Sequence, residues 1–106
     1  MNRVVITGMG VVSPIGQTVP DFWLALQNGV CGVGPITSFD ASALKVTLAA
    51  ELKNFDPVAH GIEKNQARKL DLFAQYALAA AREAVAQSGL EAGVNIAAER
   101  LGVYLG

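Results

Sequence analysis

The chain has 106 residues, 52% apolar and only 16% charged, with a formal net charge of −1 and one cysteine. That balance excludes a global electrostatic case for nucleic acid, which needs a clear basic excess, and a lone Cys31 excludes an internal disulfide and fits a reducing compartment. Mean hydropathy is positive (+0.37), high for a small domain wetted on every side, and suits a piece of a larger α/β protein or a subunit with a large interface.

The opening segment carries one basic residue, Arg3, then Val4, Val5 and Ile6. Gly8, Gly10, Pro14 and Gly16 interrupt it before it reaches the length of a secretory signal. No run approaches the roughly 20 apolar residues that span a bilayer. A soluble, cytoplasmic protein is the expectation. Arg3 to Thr7 is short, β-branched and closed by Gly8, which predicts a strand covered on both faces. Thr18 as N-cap, Pro20 in the first turn and Asp21 three residues after the cap predict a helix over Val19 to Asn28. Asp21 there takes the place of the commoner Glu of a capping box. Phe22 and Leu26 share a face, Trp23 lies beside them, and Asn28-Gly29 supplies the stop.

Gly29 to Gly34 reads as irregular and Pro35 as a turn. Leu44, Val46, Leu48, Ala50 and Leu52 alternate with Lys45, Thr47, Ala49 and Glu51, predicting a half-buried strand or extended segment that Asp56-Pro57 breaks. The clearest periodicity runs through Leu70, Phe73, Ala74, Ala77, Ala80, Ala81, Ala84 and Val85, a helix stopped at Ser88-Gly89. Ala77 to Ala81 is apolar nearly all round, which predicts burial, and its small side chains admit another backbone at close range. Arg100 to Leu105 predicts a second short apolar strand. The order strand, helix, extended segment, long helix, strand predicts an α/β layer arrangement with crossover connections. A last strand without cover reads as part of a longer, truncated domain.

Gly8-Met9-Gly10 after a strand invites a dinucleotide-binding loop. That fingerprint needs Gly or Ala at position 13 opening a helix, where this chain has Ser13 followed by Pro14. The glycines read instead as a tight turn, and no cofactor is expected. Cys31 has no basic neighbour in sequence to lower its pKa, so it reads as a small, semi-buried side chain and not as a nucleophile. His60 has no second histidine or ligand cysteine for a metal site and reads as solvent-facing. Lys64, Arg68 and Lys69 form the only basic cluster. If helical, Lys64 and Arg68 project together with Lys69 beside them. Cations near a helix N-terminus oppose the macrodipole, and that small cost points to use, as in holding an acidic partner.

Three stretches together resemble the beta-ketoacyl synthases. Arg3-Val4-Val5-Ile6-Thr7-Gly8-Met9-Gly10-Val11-Val12-Ser13-Pro14-Ile15-Gly16 resembles the opening strand and turn of that family. Phe22-Trp23-Leu24-Ala25-Leu26, with Gly29, Gly32 and Phe39-Asp40, resembles the segment that follows. Arg68-Lys69-Leu70-Asp71, with Phe73, Gln75-Tyr76-Ala77 and Ser88-Gly89-Leu90, resembles the long N-terminal helix. The likeness spans nearly the whole chain in the right order and is nearest to the stand-alone bacterial synthase II type.

The resemblance implies a thiolase-like layered α/β fold, of which residues 1–106 are the N-terminal portion, in a homodimeric parent. It implies a decarboxylative Claisen condensation in fatty-acid chain elongation. A cysteine takes an acyl chain from acyl carrier protein as a thioester, and two histidines assist decarboxylation of malonyl carrier protein. Those three residues belong to motifs outside this chain; Cys31 and His60 match none of them. No catalytic residue is assigned here, no metal or cofactor is implied, and the chain alone is expected to be inactive. Arg68 and Lys69 match basic positions that the family uses to dock acyl carrier protein, and Lys64 is adjacent to one. A polyketide-type ketosynthase or a chain-length partner lacking the cysteine stays open. So does a small non-catalytic module that binds an acidic carrier protein.

Overall fold

The computed structural model describes residues 1–106. Helix α1 spans Val19–Gln27, two three-residue strands follow at Val33–Pro35 (β1) and Leu48–Ala50 (β2), and helices α2 (Lys64–Ala67) and α3 (Leu72–Ser88) complete the regular structure with two 3-10 turns at Val58–His60 and Ala98–Arg100. Helix α1 starts and stops as its sequence predicts. The Thr18 hydroxyl accepts from the Asp21 N–H at 3.3 Å, Pro20 sits in the first turn where its missing N–H is harmless, and Asn28 is the C-cap. Only the Thr18 half of the capping box forms. The Val19 N–H, another donor that the helix start leaves free, is taken by the Glu83 carboxylate of α3, at 2.9 and 3.2 Å.

Helix α3 ends at Gly89, whose φ of +68° is the left-handed conformation that glycine adopts without penalty. The opening segment lies along it. Gly8 and Gly10 stand where a Cβ would overlap the carbonyl oxygens of Ala84 and Ala80. Met9 N–H donates to Gln87 Oε1 at 2.6 Å and Val11 N–H to Glu83 Oε1 at 3.0 Å. The two glycines therefore serve close approach to an alanine-rich helix, not the tight turn that their spacing predicts. That approach is what the small side chains of α3 allow.

Several expectations are corrected. Arg3 to Thr7 and Leu101 to Leu105 form no strand, because a ladder needs a neighbouring backbone and neither segment has one in this chain. Val33–Pro35, predicted as irregular, pairs antiparallel with Leu48–Ala50 in the register Val33↔Ala50, Gly34↔Ala49, Pro35↔Leu48. Pro35 is tolerated at the strand end, where the donor it lacks is not required. In β2 the alternation is real but inverted: Ala49 is half-buried while Leu48 and Ala50 are exposed. On α3 the buried residues are Gln75 and Ala79, while Phe73 is 74% exposed and Ala77, Ala81 and Val85 also face outward. The apolar stripe read from periodicity is thus not the stripe that this chain covers.

Candidate docking site

Lys64, Arg68 and Lys69 occupy the junction between α2 and α3. Lys64 opens α2, Arg68 is its C-cap, and Lys69 follows in the turn before Asp71, the N-cap of α3. All three are exposed. Backbone bonds shape the turn beneath them: Arg68 N–H donates to Lys64 O (3.1 Å), Lys69 N–H to Gln66 O (3.0 Å) and Leu70 N–H to Ala67 O (3.2 Å). The predicted four-residue relation of Lys64 and Arg68 is present. Lys64 stands at the N-terminus of α2, where the macrodipole opposes a cation as expected, but Arg68 caps the C-terminal end of this separate single turn, where a cation is favoured.

A buried residue precedes the junction, and one side chain of α3 bonds to the junction from below. Ile62 is fully buried, and its N–H donates to Pro57 O at 2.9 Å. Gln75, 8% exposed, donates through Nε2 to Ala67 O and Leu70 O, both at 3.0 Å. Glu63 and Asp71 flank the cluster and are also exposed, so three cations face two carboxylates over residues 63–71. The surface is locally basic in a chain of net charge −1. Such a surface suits contact with an acidic protein face and is too weak for a polyanion.

The other singled-out residues sit apart from this junction. His60 is half-buried, not solvent-facing: its ring stacks on Phe55 at 5.0 Å between centroids, Phe55 meets Tyr76 edge-on at 4.9 Å, and His60 Nε2 lies 3.2 Å from Gln17 Oε1. A polar recess of about 240 Å³ adjoins it, lined by Gln17, Thr18, His60, Arg82 and Glu83 among others. Cys31 is exposed where semi-burial is expected; its Sγ lies 3.9 Å from Val33 O. Cysteine and histidine are not brought together, and no group of three or more His, Cys, Asp or Glu converges as metal ligands do.

Sequence reasoning missed the polar stripe of α3. Gln75, Ala79, Glu83 and Gln87 recur every four residues, and the polar three hold the α2–α3 turn, the start of α1 and the opening segment respectively. The signal was present as polar side chains at 75, 83 and 87, multiples of four residues apart along an alanine-rich helix. A search for apolar periodicity passes over it.

The sequence profile described as "Beta-ketoacyl synthase, N-terminal domain" matches residues 1–106. The chain belongs to the beta-ketoacyl synthase family. Among curated proteins it is 50% identical over 105 residues to the 3-oxoacyl-[acyl-carrier-protein] synthase 2 of Coxiella burnetii (strain RSA 493 / Nine Mile phase I), covering 99% of this chain and 25% of that protein. It is 49% identical over the same length to the synthase of that name from Staphylococcus aureus (strain COL), again covering 25% of it. Among solved structures, the ishigamide ketosynthase/chain length factor superposes with a TM-score of 0.71 at 38% identity, over 82% of this chain and 21% of that one. The fold is therefore the α/β, thiolase-like fold of ketosynthases in its N-terminal portion. The chain spans about a quarter of the length of the curated relatives it matches. No helix is long and apolar enough to cross a membrane.

Proposed function

We propose that this chain is the N-terminal part of a beta-ketoacyl-acyl-carrier-protein synthase of the synthase II type, acting in the cytoplasm as a homodimer. The whole protein would join an acyl thioester to malonyl carrier protein with loss of carbon dioxide, extending a fatty acyl chain. The observation that carries this reading is identity near one half, over 99% of the chain, to two 3-oxoacyl-[acyl-carrier-protein] synthases. The part assigned to residues 1–106 is docking and scaffolding. Arg68 and Lys69, with Lys64 beside them, are the exposed cations that would meet the acidic carrier protein. No nucleophile is assigned here, so the 106-residue chain alone is expected to give no condensation product with acyl and malonyl carrier proteins. Condensation by that chain would overturn the assignment of a purely supporting role.

The docking reading is tested by R68E/K69E in the whole protein. Exchanging two cations for two anions on a charge-steered face is expected to weaken carrier binding by more than about tenfold, and the loss shrinks as salt is raised. Unchanged binding removes the docking proposal. A chain-length partner is a second reading, favoured by the likeness to the ishigamide ketosynthase/chain length factor. Thioester formation on a cysteine of the whole protein decides between them, since a chain-length partner forms none.

A further inference from the structure

We infer that Gln75 is a positioning residue for the docking face, its side-chain amide setting the direction in which Arg68 and Lys69 leave the surface. The inference rests on the reading that these two cations meet an acidic carrier protein. Gln75 is 8% exposed, and Nε2 donates to Ala67 O and to Leu70 O at 3.0 Å each. A primary amide has two N–H donors, and both are used. The two carbonyls bracket the Arg68-Lys69 pair directly in sequence. The turn's own bonds, from Lys69 N–H to Gln66 O and Leu70 N–H to Ala67 O, give it shape but not an orientation relative to α3. Gln75 belongs to α3, with its N–H on Asp71 O at 3.0 Å, so its amide ties the turn to the long helix.

Charge number and charge position do different work in association. Long-range steering depends on how many cations the face carries, while the lifetime of the docked complex depends on where they stand. Removing the Gln75 amide leaves the cations in place and loosens their placement. The expected signature is a faster dissociation rate with an unchanged association rate and an unchanged salt dependence.

The test uses the whole protein that carries this chain and a purified acyl carrier protein as probe, with binding rates measured across a salt series. Gln75→Met keeps the volume and removes both donors; Gln75→Asn keeps an amide too short to reach both carbonyls and serves if the first variant folds poorly. Either variant is expected to speed dissociation about tenfold, as two lost hydrogen bonds to a turn can, and to raise amide exchange over residues 67–70. R68E/K69E is expected to slow association and flatten the salt dependence. If R68E/K69E binds like the parent, the docking reading falls and this inference falls with it. If R68E/K69E weakens binding but folded Gln75 variants dissociate at the parental rate with only a lower melting temperature, Gln75 is structural and the inference is overturned while docking stands.

Discussion

A single carboxylate on α3 holds the opening segment and the start of α1, both distant from it in the sequence. Glu83 accepts from Val11 N–H and from Val19 N–H, the second being one of the donors that a helix start leaves unpaired. Charge-assisted bonds to backbone donors are among the stronger ones, so E83A is expected to destabilise the protein by about 1–3 kcal/mol, with E83Q in between. Thermal melts of the whole protein that carries this chain check this, and a melt unchanged in E83A would remove the clamp. Glu51 does a similar task across the sheet. Its carboxylate accepts from Thr37 N–H (2.7 Å) and Ser38 N–H (3.0 Å), and these bonds, the Thr37 backbone bond foremost, hold its pKa below the ordinary 4.5. A carboxyl with a depressed folded pKa adds stability that is complete above its unfolded value and is lost as pH falls through its folded value. E51Q is therefore expected to flatten the acid side of the stability profile below about pH 4.5. An identical acid limb in the variant would show that the bonds to Thr37 and Ser38 contribute nothing.

At the scale of elements, what was legible in the sequence was local and what was not was relational. Helix α1 follows from Thr18, Pro20 and Asn28, and α3 from its period and from Gly89, because caps and periods act within a few residues of themselves. A strand is a relation between two backbones. Arg3 to Thr7 has the composition of a strand without the partner, while Val33–Pro35 has the partner without the composition. The candidate site was half legible: Lys64, Arg68 and Lys69 stand out as the one basic cluster, but Gln75 beneath them hides within an apolar pattern. Packing of the opening segment on α3 yields its own prediction. A methyl at Gly8 or Gly10 would strike the Ala84 or Ala80 carbonyl, which is backbone and cannot swing aside. G8A and G10A are each expected to destabilise by about 1–3 kcal/mol, the usual cost of overpacking, and the pair to be worse than either. Trimming the helix side chains would not rescue them, since the collision is with carbonyl oxygens. A G10A variant of the whole protein that melts like its parent would show that the segment is not seated on α3 in solution.

The whole molecule is open. Its radius of gyration is 17.0 Å, whereas a compact domain of this length has about 13 Å. Its accessible surface is 8473 Å² at 11.1 kDa, whereas a compact monomer of that mass exposes about 5,700 Å². The excess, roughly 2,800 Å², exceeds the roughly 2,000 Å² at which permanent interfaces begin. Much of it is apolar: Val4, Ile6, Phe73, Val103 and Tyr104 are each exposed by more than two thirds, and an open groove of about 600 Å³ runs between Gly10, Val19, Phe22, Trp23 and Ala84. Five residues of 106 are buried, too few for a core that sets one arrangement of the elements. A self-sufficient binding module needs its own core and a layer of a larger synthase does not, so the two function classes left open by the sequence predict different behaviour of the isolated chain. The isolated chain is therefore expected to elute from gel filtration well ahead of a compact 11.1 kDa standard, to bind an apolar dye strongly, and to melt without a sharp transition while keeping the far-ultraviolet signal of α1 and α3. Under the synthase proposal, supplying the rest of the synthase in trans would quench the dye signal if it covers this face. A compact, dye-silent monomer with a cooperative melt would mean that these 106 residues build a core of their own, and the reading of them as one layer of a synthase would have to be abandoned.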